Sequence, residues 1–438
     1  MIKRQNSVVA TIVVICLAGF SAGRGIQKQS PSATGQLSFA SEEPLFPIWD
    51  ERGKEGFINA QGRIVIAPTF DRVMPFQEGL AGVEKDGKWG YVDRTGKVVI
   101  PLQWSSAESF SDGVAAVVDH YHIYGTPDGD HDITLAACGF IDKTGRYLIE
   151  PSIERHLEQC PTFSEGLARV CFAPGIRYYF RDFPYDGQCG YLDKSGQWAI
   201  KPQYLVTPRI GPPADFSEGL APVALKEIKK FGDVSWQTDF AYIDRNGRSM
   251  FEAKGYFLAY PFREGMAQLI KWRTYGEEKP GTVTVDFIDR TGRVLFKFEG
   301  VGIYDVDRFY EGRALVKDPQ TKLYGYIDKS GNWAIPPKYA FALRFSDGWA
   351  SVCIREQTQC AYIDRQGEVM LKMDQWGWEF HGGLARQYLF TRTIGETPTN
   401  RNIEGYMNRS GKYVWVSPGG ETIFKPDWWR ENYVGPQR

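Results

Sequence analysis

The sequence predicts an all-β protein, a tandem array of about nine short three-stranded antiparallel repeats. Three observations lead there. One short motif recurs nine times, aromatic residues make up 14% of the chain beside 47 glycines, and stretches of helical periodicity are hard to find. Aromatics and glycines together suit many short strands joined by tight turns. At 438 residues, 42% of them hydrophobic, the chain can support a long array of small units.

The first half of the unit is aromatic–aliphatic–Asp–x–x–Gly. It appears as Phe57-Ile58-Asn59…Gly62 and Tyr91-Val92-Asp93…Gly96, then from Phe140, Tyr191, Tyr242, Phe287, Tyr326, Tyr362 and Tyr406. In a strand the aromatic and the aliphatic side chain point to opposite faces. The Asp hydrogen-bonds the turn backbone, and the Gly supplies a positive φ. An apolar strand returns, such as Lys97-Val98-Val99-Ile100. Pro follows it in five units, at 68, 101, 151, 202 and 337, and is expected to stop the ladder.

The second half is Phe–x–x–Gly–x–Ala–x–Val, with Phe at 76, 110, 163, 216, 262, 309, 345 and 380. The Ala and Val read as core and the Phe as the large plug of each unit. The position between Ala and Val holds Gly82, Ala116, Arg169, Pro222, Gln268, Leu315, Ser351 and Arg386. Its tolerance of Arg, Pro and Gln predicts a solvent-facing side. The acidic residue before each Gly (Glu78, Asp112, Glu165, Glu218, Glu264, Glu311, Asp347) recurs too evenly for an active site and reads as turn chemistry.

Lys88-Trp89-Gly90-Tyr91-Val92-Asp93, with Phe110-Ser111-Asp112-Gly113-Val114-Ala115, resembles the WG repeat of bacterial proteins. Tyr324-Gly325 and Cys189-Gly190 keep the Gly without the Trp, and Ala241 and Ala361 replace the Gly. The resemblance runs from residue 45 to about 416. It implies a β-rich repeat protein, usually of unassigned function, and no catalytic residues.

Phe46 to Gly53 aligns with Leu80 to Gly87, so the array begins on the last strand of a unit and ends near Trp415 on the first two strands of another. A split unit suits either half-unit caps on an open array or a β-propeller-like ring whose two ends complete one blade. The open or superhelical β-array is the favoured expectation, because three strands are few for a blade.

Lys3 and Arg4 followed by the apolar run Val8 to Phe20 read as a signal peptide over 1–23, with uncleaved anchoring as the alternative. A flexible linker over 24–43, the repeat domain over 44–416 and a tail over 417–438 complete the organisation. A secreted or periplasmic location is expected. Net charge is −1, with 52 basic and 53 acidic residues, so nothing points to nucleic acid.

Six cysteines follow the signal segment. Cys171 follows the core Val170 and Cys189 precedes Gly190; Cys353 and Cys360 hold the same two places. The repeat frame therefore pairs Cys171 with Cys189 and Cys353 with Cys360, and parity leaves Cys138 with Cys160. Each disulfide stabilises by about 2–4 kcal/mol.

Candidate chemistry lies in the insertions, chiefly 119–137, 172–188, 225–239 and 271–285. His120 and His122, two apart on a strand, are expected to share a face, and with His131, Asp128 and Asp130 they form a candidate divalent-metal set. Ile133 stands where a calcium loop needs Gly, and Gly139 where it needs Glu. Otherwise no cofactor is expected. Arg177, Tyr178 and Tyr179, with Trp376 and Trp378, are candidate binding aromatics for sugar rings or a protein partner. Trp89, Trp198 and Trp333 read as core. No nucleophile elbow, phosphate loop or paired Cys–His motif is present. The expected function is an exported scaffold that binds a protein or cell-wall glycan without catalysis. A metal-binding or hydrolytic envelope enzyme, its site in one insertion, is the alternative.

Overall fold

The computed structural model describes residues 43–125, 132–151, 156–157, 160–172, 187–206, 214–229, 236–272, 282–355, 358–373, 376–389 and 403–418. The segments expected as signal peptide, linker and most of the tail lie outside these residues.

The second sheet shows how the motif folds. Strand Ala81–Lys85 pairs antiparallel with Lys88–Val92, in the register Ala81↔Val92 and Val83↔Gly90. Lys88–Val92 then pairs with Val98–Trp104. Between these two, Asp93 Oδ1 accepts the Thr95 N–H at 2.9 Å, the Thr95 hydroxyl at 2.6 Å and the Lys97 N–H at 3.1 Å. Gly96 completes the turn at φ 85°. A two-residue strand, Arg72–Val73, pairs with the free edge of Ala81–Lys85. Each sheet thus takes its Phe–x–x–Gly–x–Ala strand from one motif copy and its aromatic–Asp hairpin from the next. Most carry the short fourth strand as well.

The described residues form nine such antiparallel sheets, or blades. In chain order they span 45–70, 72–104, 106–157, 163–205, 221–256, 258–301, 306–339, 341–373 and 380–416. Their cores are made by the rows foreseen in the motif. Ala81, Ala168, Ala221, Ala314 and Ala385 are fully buried, as are Tyr91, Tyr191, Tyr242, Tyr326 and Tyr362.

The array closes into a ring. Phe46, Ile48 and Ile58 of blade 1 share one apolar cluster with Leu384, Tyr406, Val414 and Trp415 of blade 9. The ring, rather than the favoured open array, is the arrangement formed. The two ends do not complete a common blade, however. Blade 1 pairs only its own three strands and blade 9 its own four, and the seam is a packed face rather than a ladder.

Ring packing corrects two readings of the motif. The position between the core Ala and Val faces solvent in only one copy: Gly82, Ala116, Pro222, Gln268 and Ser351 are buried, Arg169 and Leu315 half-buried, and Arg386 exposed. Each blade has a neighbour on both faces, so both faces are interior, and the polar residues there bond to the next blade. Gln268 Nε2 donates to the Asp307 carbonyl at 2.9 Å, and Ser351 Oγ accepts the Gly377 N–H at 3.1 Å. Nor, in four of the five units, does Pro stop the ladder, although the strand before Pro151 ends at Ile149. Pro68, Pro101, Pro202 and Pro337 lie inside strands that re-pair beyond a bulge, as in Tyr91↔Ile100 followed by Trp89↔Trp104.

Disulfides join Cys138 to Cys160, Cys171 to Cys189, and Cys353 to Cys360. The last two pairs sit directly opposite one another on adjacent strands. Trp89 is buried and Trp198 half-buried, whereas Trp333 is 38% exposed at the start of an outer strand and is not core.

Candidate functional site

The candidate metal set lies largely outside the described residues. Asp128, Asp130 and His131 are not among them, and of His122 only the backbone is described, paired with Leu135. His120 sits at a bulge, where residues 119 and 120 of one strand face a single residue of the other. Its Nδ1 lies 3.2 Å from Asp119. That bulge breaks the regular alternation on which the shared His120–His122 face depended. Among the described residues no group of three or more His, Cys, Asp or Glu is placed to hold a metal. Arg177, Tyr178 and Tyr179 also fall outside the described residues.

The repeated acidic residues form a continuous inter-blade belt. All seven adopt left-handed backbone, with φ between 51° at Glu78 and 56° at Asp112. Each carboxylate accepts the turn Gly N–H of the following blade. Glu78 binds Gly113 at 2.9 Å, Asp112 binds Gly166 at 2.6 Å, and Glu165 binds Gly219 at 2.8 Å. Glu218 binds Gly265 at 2.9 Å, Glu264 binds Gly312 at 2.9 Å, Glu311 binds Gly348 at 2.8 Å, and Asp347 binds Gly383 at 2.9 Å. A basic residue of the following blade closes on several of the same turns: Lys143 on Glu78 at 3.1 Å, Lys329 on Glu264 at 3.3 Å.

Serine hydroxyls form a second belt. Ser111, Ser164, Ser217 and Ser346 each donate to the carbonyl of the next blade's Phe, at 2.7, 2.8, 2.7 and 2.6 Å. The repeated polar residues are thereby committed to holding blades together.

The serine belt, though not the acidic one, is interrupted in one region. In blades 6 and 7 the serine position is taken by Arg263 and Tyr310, and the residue before the plug Phe is Arg308 in blade 7, Arg344 in blade 8 and Glu379 in blade 9. These side chains meet. The Arg263 guanidinium lies 3.9 Å from the centre of the Tyr310 ring and that of Arg344 4.5 Å from it. Arg344 Nη1 donates to the Tyr310 hydroxyl at 2.9 Å, and Arg308 reaches the same oxygen at 3.4 Å. Arg344 also pairs with Glu379 at 3.3 Å. Burial lifts the Asp307 carboxyl above its ordinary range, although the guanidiniums of Arg344, Arg308 and Arg263 oppose that shift.

Glu379 follows Trp378, which joins this cluster to the candidate aromatics. The Trp376 and Trp378 rings lie 5.2 Å apart with planes inclined at 64°, and Trp376 packs on Phe341 at 5.3 Å. Trp378 is 37% exposed, while Tyr310 beneath the arginines is only 7% exposed. Sequence reasoning found the two tryptophans and missed the arginines. The signal was present: the residue before the plug Phe is Pro75, Ser109 and Thr162 in blades 2–4 but Arg308, Arg344 and Glu379 in blades 7–9, and Arg263 and Tyr310 break the run of serines after it.

Fold and belts together define the chain as a nine-bladed β-repeat ring whose rows serve assembly. The family model described as the WG containing repeat matches this chain five times, at residues 56–89, 89–119, 139–172, 190–204 and 324–356. No curated protein matches the chain. Among solved structures, one titled as the eukaryotic initiation factor is 12% identical with a TM-score of 0.45, covering 86% of this chain and 96% of its own. BamB from Moraxella catarrhalis is 9% identical with a TM-score of 0.32, covering 78% and 95%. At these scores the likeness says nothing about what the chain binds.

Proposed function

We propose that this protein is an exported, non-catalytic scaffold that binds a protein or glycan partner of the cell envelope through the surface of blades 6–9. The observation that carries this reading is the contrast between the serine belt and its interruption. In blades 3, 4, 5 and 8 the serine hydroxyls bond to the next blade, whereas Arg263, Arg308, Tyr310 and Arg344 gather where that bond is missing, and Arg344 pairs with Glu379, the residue after the exposed Trp378. Aromatic and Arg side chains at a partly exposed surface are the types that dominate binding energy. Three disulfides support an oxidising, extracytoplasmic location. Among the described residues no helix is long and apolar enough to cross a membrane.

Retention of peptidoglycan or envelope proteins on the immobilised protein tests the reading. The double variant Trp378→Ala, Arg344→Gln is expected to lose retention at least tenfold, while Met250→Ala, exposed on blade 5, keeps it. Equal retention by all three proteins would place the partner surface elsewhere.

A further inference from the structure

The geometry points to a specific ligand chemistry: we propose that Arg263, Arg308 and Arg344 over Tyr310 receive the carboxylate of an acidic sugar whose ring stacks on Trp376 and Trp378. The inference rests on the scaffold reading in taking this patch as the binding face, and goes beyond it by naming the ligand.

Electrostatics is the first reason. Two guanidiniums lie within 4.5 Å of the centre of one tyrosine ring, and a third reaches its hydroxyl. Like charges gathered in this way repel, and an anion shared between them returns that cost. Two carboxylates, Asp307 and Glu379, balance only part of the charge, and burial works against ionisation of Asp307.

Unused bonding capacity is the second reason. Arg263 Nε is buried and has no hydrogen-bond partner. The Tyr310 hydroxyl accepts from two arginines. A guanidinium presents donors in a planar fork that matches a carboxylate. The belt geometry supplies no such acceptor here, because the serine-to-carbonyl bond of other blades is replaced by Arg263 stacked on Tyr310.

The adjoining aromatic corner decides between an acidic sugar and an acidic peptide. Trp376 and Trp378, inclined at 64°, offer an apolar face suited to a pyranose ring. Arg344 bonds to Tyr310 and to Glu379, the residue that follows Trp378 in the chain. The chain thus links the two surfaces through Trp378 and Glu379, with the ring of the acidic sugar assigned to the tryptophan corner and its carboxylate to the arginines.

Titration calorimetry on the whole chain with a galacturonic acid oligomer is the test, with the galactose oligomer and a glutamate oligomer as comparisons. The uronic acid oligomer is expected to bind, and the galactose oligomer about tenfold more weakly or not at all. Arg344→Gln and Arg308→Gln are each expected to weaken uronate binding about tenfold, with Arg344→Lys intermediate because it keeps charge and loses the fork. Trp378→Ala should weaken uronate binding and leave any glutamate binding unchanged. Unaltered unfolding midpoints identify the variants that count. If Arg344→Gln is unstable, Arg308→Gln and Arg344→Lys carry the result. Equal binding of the galactose oligomer, or arginine variants without effect, overturns the carboxylate assignment. Tighter binding of the glutamate oligomer overturns the sugar assignment. Absence of uronate binding beside patch-dependent retention of an envelope partner overturns this inference alone. Absence of both removes the scaffold reading too.

Discussion

At the scale of single residues, the acidic belt pits backbone strain against a hydrogen bond. A non-glycine residue near φ 52° is strained by about 1 kcal/mol or more, yet Glu218, at φ 54°, recurs in this role because its carboxylate reaches Gly265 at 2.9 Å. Replacing Glu218 by Ala removes the bond and keeps the strain. Replacing it by Gly removes both. Glu218→Ala is therefore expected to cost about 1–2 kcal/mol and Glu218→Gly no more than that, by urea unfolding followed at an aromatic signal. Blade 9 already uses the second solution: Gly382 occupies the acidic position, where an added Cβ would meet the Pro44 ring at 2.5 Å. The turn aspartates act differently. The Thr95 hydroxyl bond first, with the turn N–H bonds, holds Asp93 below the ordinary carboxylate range; Asp142 and Asp289 are lowered in the same way. A lowered folded value contributes stability that is present above the unfolded value of 3.8 and lost as pH falls through the folded one. Burial raises Glu55 and Asp307, so their contribution is largest below their unfolded values of 4.5 and 3.8 and is lost as pH rises through the folded ones. Unfolding midpoints measured against pH are expected to fall steeply below about pH 4 and to decline gently from the mildly acidic side toward neutral. Asp307→Asn should flatten that gentle decline and leave the acid limb unchanged.

At the scale of the element, the Gly of the WG motif is explained by the strand that returns beside it. Where it is Gly56, Gly90, Gly190 or Gly325, an added Cβ would meet a carbonyl oxygen of the return strand at 2.4 to 2.6 Å. In each of these copies the return strand bulges across the glycine and carries a proline. Where the residue is Ala241, Asp286 or Ala361, the ladder runs on in register, as in Ala241↔Glu252 between Phe240↔Ala253 and Tyr242↔Phe251, and no proline follows. Gly90→Ala is thus expected to destabilise by about 2–4 kcal/mol, whereas Ala241→Gly costs about 1 kcal/mol or less. Thermal unfolding of the two variants checks the pair, and equal losses would break the coupling between glycine and bulge. This pairing marks how far the sequence was legible. The Gly, Phe and Ala rows could be read because turn stereochemistry and close packing act within one copy. The burial of Gln268 and Ser351, the bulge at the prolines and the gathering of Arg263 with Arg344 could not. The burial and the gathering depend on the neighbouring blade, which a motif read one copy at a time does not contain, and the bulge depends on how the return strand re-pairs beyond the proline. The insertions looked like the place for function, and their tips at 126–131 and 173–186 lie outside the described residues.

At the scale of the whole molecule, the question is what holds the ring shut. Eight of its nine junctions are spanned by continuous chain, and those between blades 2 and 9 also by the acidic belt. Among the described residues, the junction of blade 9 with blade 1 has neither a shared strand nor a belt carboxylate. It rests on apolar packing: Trp415 meets Trp49 at 4.8 Å with planes at 73°, Tyr406 meets Phe46 at 5.4 Å, and Gly62 approaches the Val414 carbonyl so closely that an added Cβ would lie 2.3 Å from it. Arg386 adds a favourable charge beside Glu55. Stability in repeat arrays is a sum of unit and neighbour terms, so a junction without its own ladder is the weakest place to open. Trp415 is buried, and truncating a buried Trp costs about 3–5 kcal/mol. Trp415→Ala is therefore expected to raise amide exchange in blades 1 and 9 well before blade 5, with an increase in the radius of gyration by solution scattering if the seam parts. Uniform acceleration of exchange around all nine blades would mean instead that the ring unfolds as one cooperative unit and that the belts couple the seam to every other junction.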